Sequence, residues 1–147
     1  MATPITAERR PQAFNDLREY LSVVKEMGHL TVIHGADGEL EIGALTGMTG
    51  ARRDCPVLLF DAIKGCPRGV RLMTNMLNNA ERQKIIHGCP PELSEAEAAG
   101  WWNGQVKKFQ PLRPVVVNDG PIKQNVKQGK DDNLKIFPWA RWHEKDG

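Results

Sequence analysis

Phe14, Leu17, Leu21 and Val24 recur at three- and four-residue intervals, the spacing of one face of a helix. Asn15 stands where a cap belongs, Asp16 and Glu19 favour the positive end of the helix dipole, Lys25 favours its negative end, and Gly28 supplies a left-handed stop. A short strand follows over residues 30–34, and Gly35-Ala36-Asp37-Gly38 turns the chain. Ile42, Leu45 and Met48 then space out a shorter helix over residues 39–49.

Val57-Leu58-Leu59-Phe60 is unbroken apolar sequence between Pro56 and Asp61, the pattern of a strand buried on both faces. A Gly- and Pro-rich turn at 64–69 leads to a second strand over 70–75. Asn79 caps a helix that runs through Ile86 and stops at Gly88 and Pro90-Pro91. Ser94 with Glu97 three residues on is a capping-box pair, opening a helix towards Trp101-Trp102. Val115-Val116-Val117 predicts one more strand, broken at once by Asn118-Asp119-Gly120-Pro121. Residues 122–133 are polar without period, the signature of a linker. The expected fold is α+β: a small mixed sheet of about four short strands flanked by four helices.

Composition narrows this further. A chain of 147 residues has the length of one domain, but 40% hydrophobic residues with ten prolines and fourteen glycines predict a loop-rich unit that leans on a partner. The net charge of +2 is too small to argue for nucleic acid or a membrane surface. Residues 107–135 are nevertheless locally +4, with seven Lys/Arg against three Asp, and the remainder is −2. Nucleic-acid binding by that segment ranks below a solvated linker, because after Phe109 no aromatic is interleaved with its basic residues. No apolar run approaches the ~20 residues that span a bilayer, and residues 1–12 lack a hydrophobic signal core. Cys55, Cys66 and Cys89 are odd in number and widely spaced, so a reducing, cytoplasmic setting is expected.

Candidate chemistry is sparse. The glycines of GALTGMTG (43–50) lack the Lys-Ser/Thr of a phosphate loop and suit a closely packed helix face better. His87 and Cys89 make half a metal site with no second pair at zinc-like spacing, and no histidine is paired with a thiol nucleophile. His143, Glu144 and Asp146 form the densest acid–base group. A solvated surface turn explains them equally simply and is preferred. Trp139 and Trp142 read as core or interface aromatics. Two tryptophans and this polar group at the last residues give the chain the look of one that has been cut.

Six motifs in order carry a resemblance: DLREYLSVVKEMGHL (16–30), ELEIGAL (39–45), PVLLFDAIKGCPRGVRLMTNM (56–76), NNAERQKIIHG (78–88), PVVVNDGPIKQNV (114–126) and LKIFPWARWHEKDG (134–147). Together they resemble the N-terminal part of the UbiD family, the prenylated-FMN-dependent decarboxylases. The family acts reversibly on aromatic, heteroaromatic or α,β-unsaturated carboxylic acids. The resemblance implies an arm over 1–13, an N-terminal α/β domain over 14–110, and over 111–147 a strand, linker and hinge that end at the entry to a flavin-binding barrel. It also implies prenylated FMN, Mn2+ and K+ in the complete enzyme, a flavin prenyltransferase as cofactor source, and a homo-oligomer. The family's Asn, His and Glu metal ligands and its Arg–Glu–Glu network lie beyond the matching motifs. No catalytic, cofactor-binding or metal-binding residue is therefore assigned here, and this chain alone is expected to be an inactive part of a carboxy-lyase with a structural, site-shielding role. The alternative is a self-standing accessory subunit that docks a separate flavin-binding subunit.

Overall fold

The central element is β2 (Val57–Asp61), whose first four residues are all buried. The structure, a computed structural model, describes residues 14–146; the arm expected over 1–13 and the terminal Gly147 lie outside the described residues. β2 pairs in parallel with β1 (Leu30–His34), Leu30 facing Val57 and His34 facing Asp61, and antiparallel with β3 (Leu72–Thr74), Leu58 facing Thr74. The order β1-β2-β3 makes a mixed sheet, and the crossover from β1 to β2 contains α2 (Glu41–Gly50).

Side chains alternate across a strand, and this sorts the β2 run onto two faces. Leu58 and Phe60 join Ile42 of α2, Ala36 and Ile63 in one cluster, against which Ala140 also packs. Val57 joins Tyr20 and Val24 of α1 (Leu17–Glu26) in the other. An apolar run without alternation is what a strand covered on both faces requires.

The caps explain the helix boundaries. The α1 cap is Asp16, not the expected Asn15: the Asp16 carboxylate accepts from the amides of Arg18 and Glu19. The Glu19 carboxylate in turn accepts from the Asn15 backbone N at 2.6 Å and from its Nδ2 at 3.0 Å. A charged oxygen at the positive helix end makes the stronger cap, and Asn15 is left as the donor of the reciprocal pair. Gly28 stops α1 in the left-handed region at φ 73. Asn79 caps α3 (Ala80–Ile86) as expected.

β3 is shorter than the expected 70–75 because Asn75 takes φ 58 and leaves the strand. Asn75 Nδ2 donates to Thr46 O at 3.1 Å and Thr49 Oγ1 at 2.9 Å, tying that bend to α2. Arg82 of α3 is fully buried. Its Nε donates to Met76 O at 3.2 Å and its Nη2 to Asn75 O at 3.0 Å. The Tyr20 hydroxyl donates to the same Met76 carbonyl at 3.0 Å. Burial raises the Tyr20 phenol above its ordinary value of 10.0, and the neighbouring guanidinium partly offsets this.

α4 (Glu95–Lys108) runs past the expected Trp101-Trp102, crossing Gly100 and Gly104 to end on Lys107 and Lys108. Its Ser94–Glu97 capping box is complete: Glu97 N donates to Ser94 Oγ at 3.3 Å and Ser94 N to Glu97 Oε2 at 2.9 Å. The Ser94 side-chain and backbone donors hold the Glu97 carboxyl below its ordinary value of 4.5. A folded-state pKa lowered in this way contributes stability that is present above pH 4.5 and is lost as pH falls through the lowered value. We expect the first turn of α4 to fray below pH 4.5. Protection of the Glu97 and Ala98 amides, measured against their intrinsic exchange rates, should fall with acid in the parent chain, and Glu97→Gln should flatten that dependence.

Beyond α4 the expected fourth strand is absent: among the described residues the sheet has three strands, and residues 115–117 pair with none of them. A strand requires a neighbour, and the domain brings no edge to this segment. Residues 121–136 contain three short 3-10 turns, Pro121–Lys123, Gly129–Asp131 and Leu134–Ile136.

Candidate functional site

After the last of these turns the chain comes back to the domain. Residues 139–142 lie across the loop before α2, forming an isolated parallel bridge between Glu39 and Arg141. Leu40 N donates to Arg141 O at 3.2 Å and Arg141 N to Gly38 O at 2.9 Å. The approach is close enough to require glycine at two positions. A Cβ on Gly38 would stand 2.7 Å from Trp139 O, and one on Gly43 would stand 2.7 Å from Trp142 Cα and 3.0 Å from Trp142 O. The close-packing expected of GALTGMTG therefore holds at Gly43, whereas nothing lies within 4 Å of a Cβ on Gly47. Leu40, with φ 67, bends into the left-handed region to deliver its amide.

Side chains complete the clamp. Arg141 Nη1 lies 3.3 Å from Glu39 Oε2, and Arg141 Nη2 donates to the Glu144 carbonyl. The Asp146 carboxylate accepts from Trp142 N at 3.1 Å and His143 N at 2.9 Å, closing the turn over 142–146. The His143, Glu144 and Asp146 group is thus an exposed turn held by backbone contacts. Nothing in it presents a converging donor set.

Among the described residues Trp139 and Trp142 are half-exposed and belong to neither core cluster. Trp142 instead walls an open groove of about 520 Å³ with Thr46, Gly50, Thr74, Asn75 and Asn78. Two of its lining hydroxyls are already paired with one another, Thr46 Oγ1 and Thr74 Oγ1, 3.0 Å apart. A second cleft of about 370 Å³ lies between α3 and α4, where His87 stacks on Trp102 at 4.1 Å and the buried Cys89 forms part of the wall. Among the described residues no three His, Cys, Asp or Glu side chains are placed to share a metal ion. Arg82, the buried guanidinium, was invisible to sequence reading: Glu81-Arg82-Gln83 looks like a solvated helix face.

A family model described as the 3-octaprenyl-4-hydroxybenzoate carboxy-lyase N-terminal domain matches residues 21–98. The chain is 28% identical over 142 residues to pyrrole-2-carboxylic acid decarboxylase of Pseudomonas aeruginosa, covering 90% of this chain. It is 32% identical over 142 residues to phenolic acid decarboxylase of Sedimentibacter hydroxybenzoicus, covering 92% of this chain. It spans 28% of the length of each of these relatives. The solved vanillic acid decarboxylase of Sedimentibacter hydroxybenzoicus superposes in its closed form with a TM-score of 0.74 at 29% identity, over 91% of this chain and 28% of that one. In its open form the TM-score is 0.69 at 28% identity, over 89% and 28%.

Proposed function

This chain belongs to the 3-octaprenyl-4-hydroxybenzoate carboxy-lyase (UbiD) family through its N-terminal domain, and from that premise we propose that it is the N-terminal portion of a decarboxylase acting reversibly on an aromatic, heteroaromatic or α,β-unsaturated carboxylic acid. The observation that carries this reading is the superposition on the vanillic acid decarboxylase over nine-tenths of the chain. The named relatives act on a pyrrole carboxylic acid, a phenolic acid and vanillic acid, all acids that contain an aromatic ring.

Losing CO2 from an sp2 carbon leaves an electron pair that no ordinary side chain delocalises, so a cofactor must supply the sink. The family resemblance names prenylated FMN, with Mn2+ and K+, for that role. The described residues do not fit those groups: no three donors converge, and the Asp146 carboxylate already holds two backbone amides. No chemical step is assigned to this chain. Its contribution is the clamp at 38–43 and 139–142, which fixes the direction in which the hinge leaves the domain, and the bulk of the domain, which shields the neighbouring site from water. In this reading residues 14–110 are the domain proper and 111–147 its connection to a flavin-binding part, in a cytoplasmic homo-oligomer. Among the described residues no helix is long and apolar enough to cross a membrane.

A second reading is an accessory subunit with a separately encoded flavin-binding partner. It is consistent with the solved vanillic acid decarboxylase, whose open form contains a truncated D component beside the chain that is matched here. An antibody raised against this chain, used on its native host, separates the two. A polypeptide several times heavier than 16.4 kDa supports the first, and a 16.4 kDa species bound to a flavoprotein supports the second.

The 147-residue chain alone is expected to show no visible flavin absorbance and no CO2 release from pyrrole-2-carboxylate or vanillate. The native assembly is expected to show the absorbance and to decarboxylate an acid of the proposed classes. Turnover by the isolated chain would overturn the structural role, and a native assembly without flavin would overturn the decarboxylase reading.

A further inference from the structure

Val115, Val116 and Val117 are 84%, 92% and 67% exposed. Three β-branched residues in a row are strong strand formers, Pro114 is tolerated at a strand start, and Asp119 turns the chain by accepting from Gly120 N at 2.8 Å. Yet residues 110–117 make no backbone hydrogen bond to any described residue. Phe109, Leu112, Ile122 and Val126 are exposed around them. Seven large apolar side chains within eighteen residues exceed the scattered exposure normal for a solvated loop.

We infer that residues 115–117 form a β-strand whose ladder partner is an edge strand of the flavin-binding portion, an edge with an apolar face and carboxylates along its rim. This deepens the proposed function and rests on it. The location of the segment selects the occupant. It lies in the chain between the domain and the clamped hinge, and the relatives are more than three times as long as this chain. Lys107, Lys108, Arg113, Lys123, Lys127 and Lys130 flank the valines against Asp119, Asp131 and Asp132, which calls for acidic residues opposite. Strand addition satisfies the free amides and carbonyls through the main chain and buries alternate valines.

Hydrogen exchange compares the isolated chain with the native assembly captured from its host. The valine amides should exchange freely in the isolated chain and about 100-fold more slowly or better in the assembly, as ladder amides do. Val116→Pro and Val117→Pro provide the second measurement. Successive N–H groups point to opposite edges of a strand, so in the native assembly the two variants should unpair the segment unequally, at least one raising exchange of the remaining valine amides by about tenfold. Neither should move the melting temperature of the isolated chain, since among the described residues the segment makes no backbone hydrogen bond and joins no core cluster. A flavin-containing assembly in which 115–117 exchange as in the isolated chain would overturn this inference and leave the proposed function standing. An assembly without a flavin-binding portion would overturn both. Protection of the valines in a dimer of the isolated chain would assign the strand to a second copy and overturn the inference as stated.

Discussion

Arg82→Ala is expected to cost about 3–5 kcal/mol, the range for emptying a large buried site and stripping partners from buried polar groups. Total stabilities of single domains are about 5–15 kcal/mol, so the variant should stand at the edge of unfolding at room temperature. Three elements meet at this side chain. Its guanidinium holds the carbonyls of Asn75 and Met76, and so fixes the bend that ends β3, while the Tyr20 hydroxyl of α1 reaches the same Met76 carbonyl. Removing the side chain opens a cavity beneath α3 and takes one partner from each carbonyl. Both keep another, Met76 O from Tyr20 and Asn75 O from the amide of Asn78 at 3.3 Å. That places the polar part of the loss at the lower end and leaves the cavity as its larger share.

A counter-effect must be weighed. The guanidinium is fully buried, and its Nη1 finds no partner among the described residues. Desolvating a cation is costly, and an apolar side chain of similar volume often replaces a buried charge without loss. Arg82→Met separates the two contributions, because it fills most of the space while removing the donors and the charge. Urea denaturation of the isolated chain is expected to rank the parent above Met and Met above Ala. Met equal to or above the parent would mean that desolvation outweighs the two hydrogen bonds. Ala within about 1 kcal/mol of the parent, the size of one ordinary hydrogen bond, would remove Arg82 from the account of what holds this fold.

What could be read from the sequence was what local chemistry decides. The Asn79 cap, the Ser94–Glu97 box and the Gly28 stop each depend on residues within a few positions. The β2 run was legible because both faces are covered, so its four apolar residues need no interpretation of phase. Legibility failed where distant backbone decides. Arg82 is buried because two loop carbonyls happen to lie above it, and those carbonyls are oriented by Asn75 in a conformation unusual for a residue with a side chain. Gly43 was read as a small residue on a packed face, but what packs there is the backbone of Arg141 and Trp142, about a hundred residues away. The three valines were read as a strand on sound propensity, and they pair with neither edge of this domain's sheet. Trp139 and Trp142 likewise carry the composition of an interior without having one in this chain.

Gly43→Ala is expected to lift the hinge from α2 while leaving the domain folded. The new Cβ would lie 2.7 Å from Trp142 Cα and 3.1 Å from Arg141 O, and neither atom can rotate away as a side chain would. The segment over 139–142 must move, breaking the pairs Leu40 N to Arg141 O and Arg141 N to Gly38 O. Their loss costs about 0.5–1.5 kcal/mol each. Alanine in a helix interior returns about 1 kcal/mol relative to glycine, so the melting temperature should change little and would mislead if read alone. Hydrogen exchange distinguishes the outcomes: the Leu40 and Arg141 amides should exchange at least tenfold faster in the variant, as expected for a locally opened segment. Gly47→Ala is the matched control, on the same helix with no atom within 4 Å of the new Cβ. It should gain the helix propensity and leave both amides protected. In the native assembly, under the proposed function, a displaced hinge misplaces the domain against the flavin site, and misplacement by ~1 Å can cost about 100-fold in turnover. Gly43→Ala should then lose activity where Gly47→Ala does not. Equal stabilisation by both variants, with the Leu40 and Arg141 amides still protected, would show that the hinge does not depend on glycine at 43 and that the clamp is not what orients it.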